Sequence, residues 1–174
     1  MKEIRKTGKI GDSALRSGIR RGEIINLERK DVDLISRIIK LVPDRTKKDK
    51  FKRIPIHKDL IPFFETKVHN LLSDRVFLKN GDPLKAGDFK HPWRLAIQGM
   101  DQRLRLHDVR AVFITNCRRS GIPESVLQAI VGHVDRMRPI TQRYGRVSDQ
   151  ELLDAIDKLV TDHGSTEVLT CVNG

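Results

Sequence analysis

Tyr144 is the only tyrosine in the chain and sits in Gln142-Arg143-Tyr144-Gly145. A phenol with its ordinary pKa of about 10 is a poor nucleophile near neutral pH. Guanidinium groups close by favour the phenolate, and an imidazole can take or share its proton. Short segments elsewhere supply such groups. Gly18-Ile19-Arg20-Arg21-Gly22-Glu23 puts Arg20 and Glu23 three apart, on one face of a helix. His107-Asp108-Val109-Arg110 repeats that spacing with an imidazole and a guanidinium. Val131-Gly132-His133 reads as a helix end with a histidine just beyond it. Each has a plain structural reading when taken alone: a packing tyrosine, a surface ion pair worth little, a chance helical pair, a C-cap residue. Two arginines can hold the non-bridging oxygens of a phosphodiester and neutralise charge that builds in a transition state. That chemistry needs no metal ion and no cofactor.

The elements expected to position these groups follow from periodicity and turn signals. Ala14 to Leu27 suits helical packing broken near Gly18 and Gly22. Leu34 to Val42 reads as a strand and Arg53 to Ile56 as its returning partner. Between them lies the charged tip Pro43 to Lys52, so the pair forms a hairpin with a long basic loop. Lys58 to Leu72 is an amphipathic helix. Val76 to Leu78 suits a short strand before the Asn80-Gly81-Asp82 turn, and Pro83 to Met100 is expected to be helical, with Phe89, Trp93 and Ile97 as a core stripe. Leu106 to Ser120 is a helix closed by Gly121, and Pro123 opens the next, which runs to about Gly132. Ser148 and Glu151 form a capping box for a last helix whose apolar face is Leu152, Ile156, Leu159 and Val160. Many helices around one small antiparallel sheet make a mainly α, α+β domain. Residues 1–12 are expected to be poorly ordered, 13–162 to form the domain, and 163–174 to be a flexible tail. The last helix has two equal expectations: packing on its own core, or docking on a neighbouring protomer.

The 174 residues suffice for one domain with a hydrophobic core. Lysine and arginine total 34 against 23 aspartates and glutamates, a net charge of +11. Such a surface releases counterions from a polyanion, which makes nucleic acid the leading partner. No stretch reads as a membrane span or a basic amphipathic anchor. Cys117 and Cys171 lie far apart without a CxxC or Cys/His pairing, which speaks against a structural zinc site, and Cys117 reads as core. The basic N-terminal stretch lacks the apolar centre of a secretory signal, so the cytoplasm is the expected compartment.

The order of the motifs resembles the tyrosine recombinase, or phage integrase, family. Its catalytic domains carry an arginine in a GLRxxE-like segment, a hairpin lysine, HxLR, LGH and a tyrosine near the end. Here these read GIRRGE, the Thr46-Lys47-Lys48-Asp49 tip, HDVR, VGH and QRY, spread from about Ala14 to Val160. The resemblance implies Arg20, Lys47, His107, Arg110, His133 and Tyr144 as catalytic residues. The Glu23 spacing selects Arg20 over Arg21, and Glu23 is expected to orient Arg20. Lys47 matches the hairpin lysine because Arg53-Ile54-Pro55 follows at the right distance; Lys48 and Lys50 are possible substitutes. Arg21, Lys48, Lys50, Lys52 and Arg143 are expected to contact DNA. The implied activity is site-specific cleavage and rejoining of double-stranded DNA through a 3′-phosphotyrosyl bond, without cofactor, in a homotetramer on DNA. Two alternatives stay open: a truncated, catalytically weak DNA-binding relative, and a type IB topoisomerase-like enzyme. Val109 and Val131 stand where the family has leucines, Ala111 where it often has a base, and the stretch from His133 to Tyr144 is longer than is common. The family's usual DNA-clamping domain before the first arginine is not represented, which reads as a fragment or a truncated gene.

Overall fold

A computed structural model describes residues 16–42, 51–69, 73–90, 94, 108–132 and 147–159. Arg16 and Ser17 are helical, and the chain then turns at Gly18, whose φ is +59°. Helix α1 follows at Arg21–Ile25. A short 3-10 turn at Arg29–Asp31 leads into a three-stranded antiparallel sheet, β1 (Val32–Asp33), β2 (Ile38–Leu41) and β3 (Lys52–Pro55), in the order β1-β2-β3. Ile39 faces Ile54 and Leu41 faces Lys52 across the β2–β3 pair, which is the expected hairpin.

The strand expected from Leu34 is shorter than its apolar composition suggests. Residues 34–37 form a turn instead. The Asp33 carboxylate accepts the Ser36 amide at 3.0 Å and the Lys40 ammonium at 2.9 Å, so side-chain chemistry at the turn overrides strand propensity. Ile35 is left fully exposed at the tip. Arg37 completes the turn with a φ of 54° and reaches Asp157 through two bonds of 3.0 and 2.7 Å.

Helix α2 (Ile61–Val68) buries Phe64, with a 3-10 turn at Lys58–Leu60 before it. Strands β4 (Leu78–Lys79) and β5 (Asp82–Pro83) form a small hairpin. Its turn is Asn80-Gly81, both at positive φ, the pairing a two-residue hairpin turn favours. The helix expected from Pro83 starts later. Asp82–Pro83 is strand and Ala86–Phe89 a 3-10 turn, which the Asp88 carboxylate caps by accepting the Lys85 amide. Phe89 is buried as expected; Trp93 and Ile97 lie outside the described residues.

Helix α3 (Asp108–Arg119) ends at Gly121. Helix α4 (Glu124–Val131) has Pro123 one position earlier than expected, as its N-cap, and Gly132 as a left-handed C-cap. Ser148 caps α5 (Asp149–Asp157) with the expected reciprocal bonds to Glu151. The described part of the last helix packs within its own chain: Leu152, Ala155, Ile156 and Leu159 join Phe113, Cys117, Leu127 and Ile130 in one apolar cluster. Arg53 on β3 holds the start of α5, donating to Asp149 and to the Val147 carbonyl at 2.5 Å each.

A second cluster gathers Ile24, Leu27, Ile39, Ile54, Phe64 and Phe77 among others. Each such fully buried side chain contributes about 1.5–3 kcal/mol. Val109 belongs to this cluster and Phe113 to the other, so α3 bridges the two. Arg110 leaves the helix between them. No helix among the described residues is long and apolar enough to cross a membrane.

Candidate phosphate-binding site

The Glu23 carboxylate organises the site. Its Oε2 accepts the Arg20 amide and the Lys52 ammonium, both at 2.8 Å, and its Oε1 accepts the Arg20 guanidinium at 2.9 Å. Glu23 is 3% exposed and Lys52 5%. The pair that spacing alone would leave on the surface is therefore the edge of a buried ionic cluster. Burial raises the Glu23 carboxyl, but the Lys52 charge and the bonds from Lys52 and Arg20 outweigh it and hold it below its ordinary value. Burial pushes the Lys52 ammonium down to about 8 against the pull of Glu23, and repulsion from Arg110 and Arg20 adds to the fall.

Arg110 enters from α3. One guanidinium nitrogen donates to the Gly18 carbonyl at 2.5 Å and another to the Val131 carbonyl. The Val131 carbonyl belongs to the last turn of α4, where helix geometry leaves acceptors unpaired. Burial, with repulsion from Arg20, lowers the Arg110 pKa to about 10, so it stays charged at neutral pH. Gly18 comes close enough to Phe113 that a Cβ there would lie 2.4 Å from the ring. A Cβ on Gly132 would lie 3.4 Å from the Lys52 side chain, so the lysine stem runs along the end of α4.

The fold thus brings together Arg20, Glu23 and Arg110 from segments about ninety positions apart. It places the α4 terminus beside them, with His133 the next residue in sequence. Arg21 is exposed next to Arg20. Lys52 was expected to contact DNA. It is buried, and its ammonium is on Glu23, because β3 turns it to the same side as Ile54. Two-residue alternation from Ile54 is the signal that could have found it in the sequence. Lys47, Lys48, Lys50, His107, His133, Arg143 and Tyr144 lie outside the described residues. Among the described residues no group of three or more His, Cys, Asp or Glu gathers that could hold a metal ion. The arrangement offers fixed, partly desolvated positive charge, which suits an anion with several acceptor oxygens.

The model of the phage integrase family matches residues 10–151, and the chain belongs to that family. A protein of Thermosipho africanus described as a tyrosine recombinase is 26% identical over 152 residues, covering 82% of this chain and 50% of the relative. One from Pseudothermotoga lettingae, described in the same words, is 26% identical over 153 residues, covering 83% of this chain and 51% of that protein. The chain spans about half the length of these curated relatives. Among solved structures it resembles the integrase from mycobacterium phage Brujita, with a TM-score of 0.68 at 18% identity over 97% of this chain and 57% of the other. The XerA recombinase gives 0.60 at 21% identity over 92% and 54%. The Tn1549 transposon integrase, solved in complex with a circular intermediate DNA, gives 0.62 at 20% identity over 97% and 58%. These likenesses establish a tyrosine recombinase catalytic-domain fold, mainly α with a small antiparallel sheet.

Proposed function

We propose that this chain is the catalytic domain of a site-specific DNA recombinase that cuts and rejoins double-stranded DNA through Tyr144. The observation that carries the reading is that Arg110, bonded to the Gly18 carbonyl, is brought to the segment where Arg20 and Lys52 meet on Glu23. Family membership and relatives described as tyrosine recombinases support it, as does the likeness to an integrase solved on DNA.

In this mechanism Arg20 and Arg110 grip the non-bridging oxygens of one phosphodiester. The Tyr144 oxygen attacks phosphorus and gives its proton to a nearby base, for which His107 is the candidate. His133 donates a hydrogen bond to the phosphate. The bond from phosphorus to the 5′ oxygen breaks, and Lys47, as general acid, protonates that oxygen. The 3′-phosphotyrosyl bond keeps the energy of the broken linkage, so rejoining is the same step reversed by another 5′ hydroxyl. Arg21, Lys48, Lys50 and Arg143 extend the contact along the DNA backbone, and a homotetramer on two DNA sites completes the exchange.

The test is a nicked suicide substrate that loses its 5′ fragment on cleavage. The wild-type chain is expected to become covalently attached to the 3′ end, and Tyr144→Phe is expected to give none while binding DNA equally. Attachment that survives this substitution removes Tyr144 as nucleophile. DNA binding without attachment in the wild type favours the non-catalytic alternative. For Lys47→Ala, attachment is expected to slow about 10²-fold or more on normal DNA. It should recover on a substrate with a 5′-thio leaving group, which needs no proton. No recovery would remove Lys47 as the acid.

A further inference from the structure

Resting on that reading, we infer that Lys52 is a positioning residue of the phosphate site, locking the Glu23 carboxylate so that Arg20 is left to hold a phosphate. The geometry comes from four elements. Lys52 Nζ lies 2.8 Å from Glu23 Oε2, and the lysine stem lies against Gly132 at the end of α4. Arg110 bonds the carbonyls on either side of this contact, at Gly18 and Val131. Lys52 thereby ties β3 to the Glu23 carboxylate of α1 and lies along the end of α4, while Arg110 ties α3 to the segment before α1 and to the last turn of α4.

The charge balance explains why an ammonium belongs here. Arg20, Lys52 and Arg110 carry three positive charges and Glu23 one negative, a net of +2. Attack of a phenolate on a phosphodiester monoanion gives a transition state of charge −2, which the positive field of this cluster stabilises. Without the ammonium the net falls to +1. Among the described residues the buried Glu23 carboxylate would then have Arg20 as its bonded cation and would draw that guanidinium further onto itself. With Lys52 in place, Arg20 touches Glu23 through one amino group and its side chain remains 26% exposed. Among the described residues the charged groups facing Lys52 are Glu23 and Arg20 from the α1 segment and Arg110 from α3. From α4 it meets Gly132, and across the sheet Leu41 of β2.

The experiment measures covalent attachment on the suicide substrate for wild type, Lys52→Met and Lys52→Arg, with DNA affinity and thermal unfolding measured alongside. Lys52→Met is expected to slow attachment about 10²-fold while DNA affinity stays within about threefold, because the loss falls on the chemical step. Lys52→Arg is expected to restore the rate to within about tenfold. A pH series on the 5′-thio substrate removes the titration of Lys47. There the wild-type rate is expected to fall as Lys52 loses its proton, near pH 8. In Lys52→Arg that fall should be absent, because a guanidinium does not titrate in this range. This comparison decides the matter even where Lys52→Met does not fold. A folded Lys52→Met that attaches at the wild-type rate overturns the assignment, as does a Lys52→Arg profile that falls where the wild type does. A wild type that never attaches overturns the proposed function and this assignment with it. A wild type that attaches beside an equally fast Lys52→Met overturns the assignment alone.

Discussion

Arg20→Ala is expected to fold as the wild type does and to attach to suicide DNA about a thousandfold more slowly, whereas Arg110→Ala loses both stability and attachment. The two guanidiniums do the same chemical work and sit in different surroundings. Among the described residues the Arg20 guanidinium is bonded to Glu23, and its side chain is 26% exposed. Removing it leaves Glu23 with the Lys52 ammonium and the backbone amide at position 20, so no buried charge is stranded. What disappears is a fixed donor to the phosphate, and one preorganised donor is worth about 10²–10³ in rate. A full positive charge puts the loss at the upper end of that range. Arg110 also serves as a brace. Its guanidinium satisfies the carbonyls of Gly18 and Val131, and truncation leaves both acceptors without it. Each unsatisfied buried acceptor costs about 1–3 kcal/mol. Arg110→Ala is thus expected to lose about 2–6 kcal/mol of stability, and Arg110→Lys less, because a lysine can serve one carbonyl. Thermal unfolding and attachment rate, measured on the same preparations, check the contrast. Equal stability of Arg20→Ala and Arg110→Ala would show that Arg110 braces nothing. A substantial rate in Arg20→Ala would take that residue out of the site.

The parts of this fold that can be read in the sequence share a property: their signal lies within a few residues. Ser148 and Glu151 announce α5 because the capping bonds are local. Asn80-Gly81 announces its turn because only certain residues accept its φ values readily, although Pro83 of the returning strand Asp82–Pro83 was expected as helix. The meeting of Arg20 with Arg110 is long-range, and composition and periodicity do not contain it. It became legible through the order of motifs shared with a family. Lys52 shows the limit of that route. It stands in a basic run with Lys47, Lys48 and Lys50, and residue type alone cannot separate the lysine that β3 buries from the others. The information lay in the pleat, which puts position 52 on the face of Ile54. Residues 34–37 failed for the opposite reason. Leu34 and Ile35 look like strand, but the Asp33 carboxylate bonds the Ser36 amide and turns the chain first. Arg53 and Asp149 carried no local sign of each other, since their bond joins strand β3 to a helix about a hundred positions later.

Gly18 is the residue whose enlargement should do the most damage to this arrangement. Its φ of +59° costs an alanine about 1–2 kcal/mol. An added Cβ would also lie 2.4 Å from the Phe113 ring. Phe113 is fully buried and packed with Leu127, Ile130 and Leu152, so the ring has no free space to enter. Overpacking of this kind costs about a further 1–3 kcal/mol. The two add to roughly 2–5 kcal/mol for Gly18→Ala, a large share of the stability of a single domain. The backbone can escape the clash only by moving away from α3, and that motion carries the Gly18 carbonyl off Arg110. Attachment is therefore expected to fall by more than the loss of folded protein accounts for. Phe113→Leu in the Gly18→Ala background separates the causes, because it relieves the ring contact and leaves the backbone strain. Partial recovery of both the unfolding midpoint and the attachment rate is the expected result. A Gly18→Ala chain that melts and attaches as the wild type does would mean that the segment before Arg20 is not held against α3, and the bridge from Gly18 to Arg110 would fall with it.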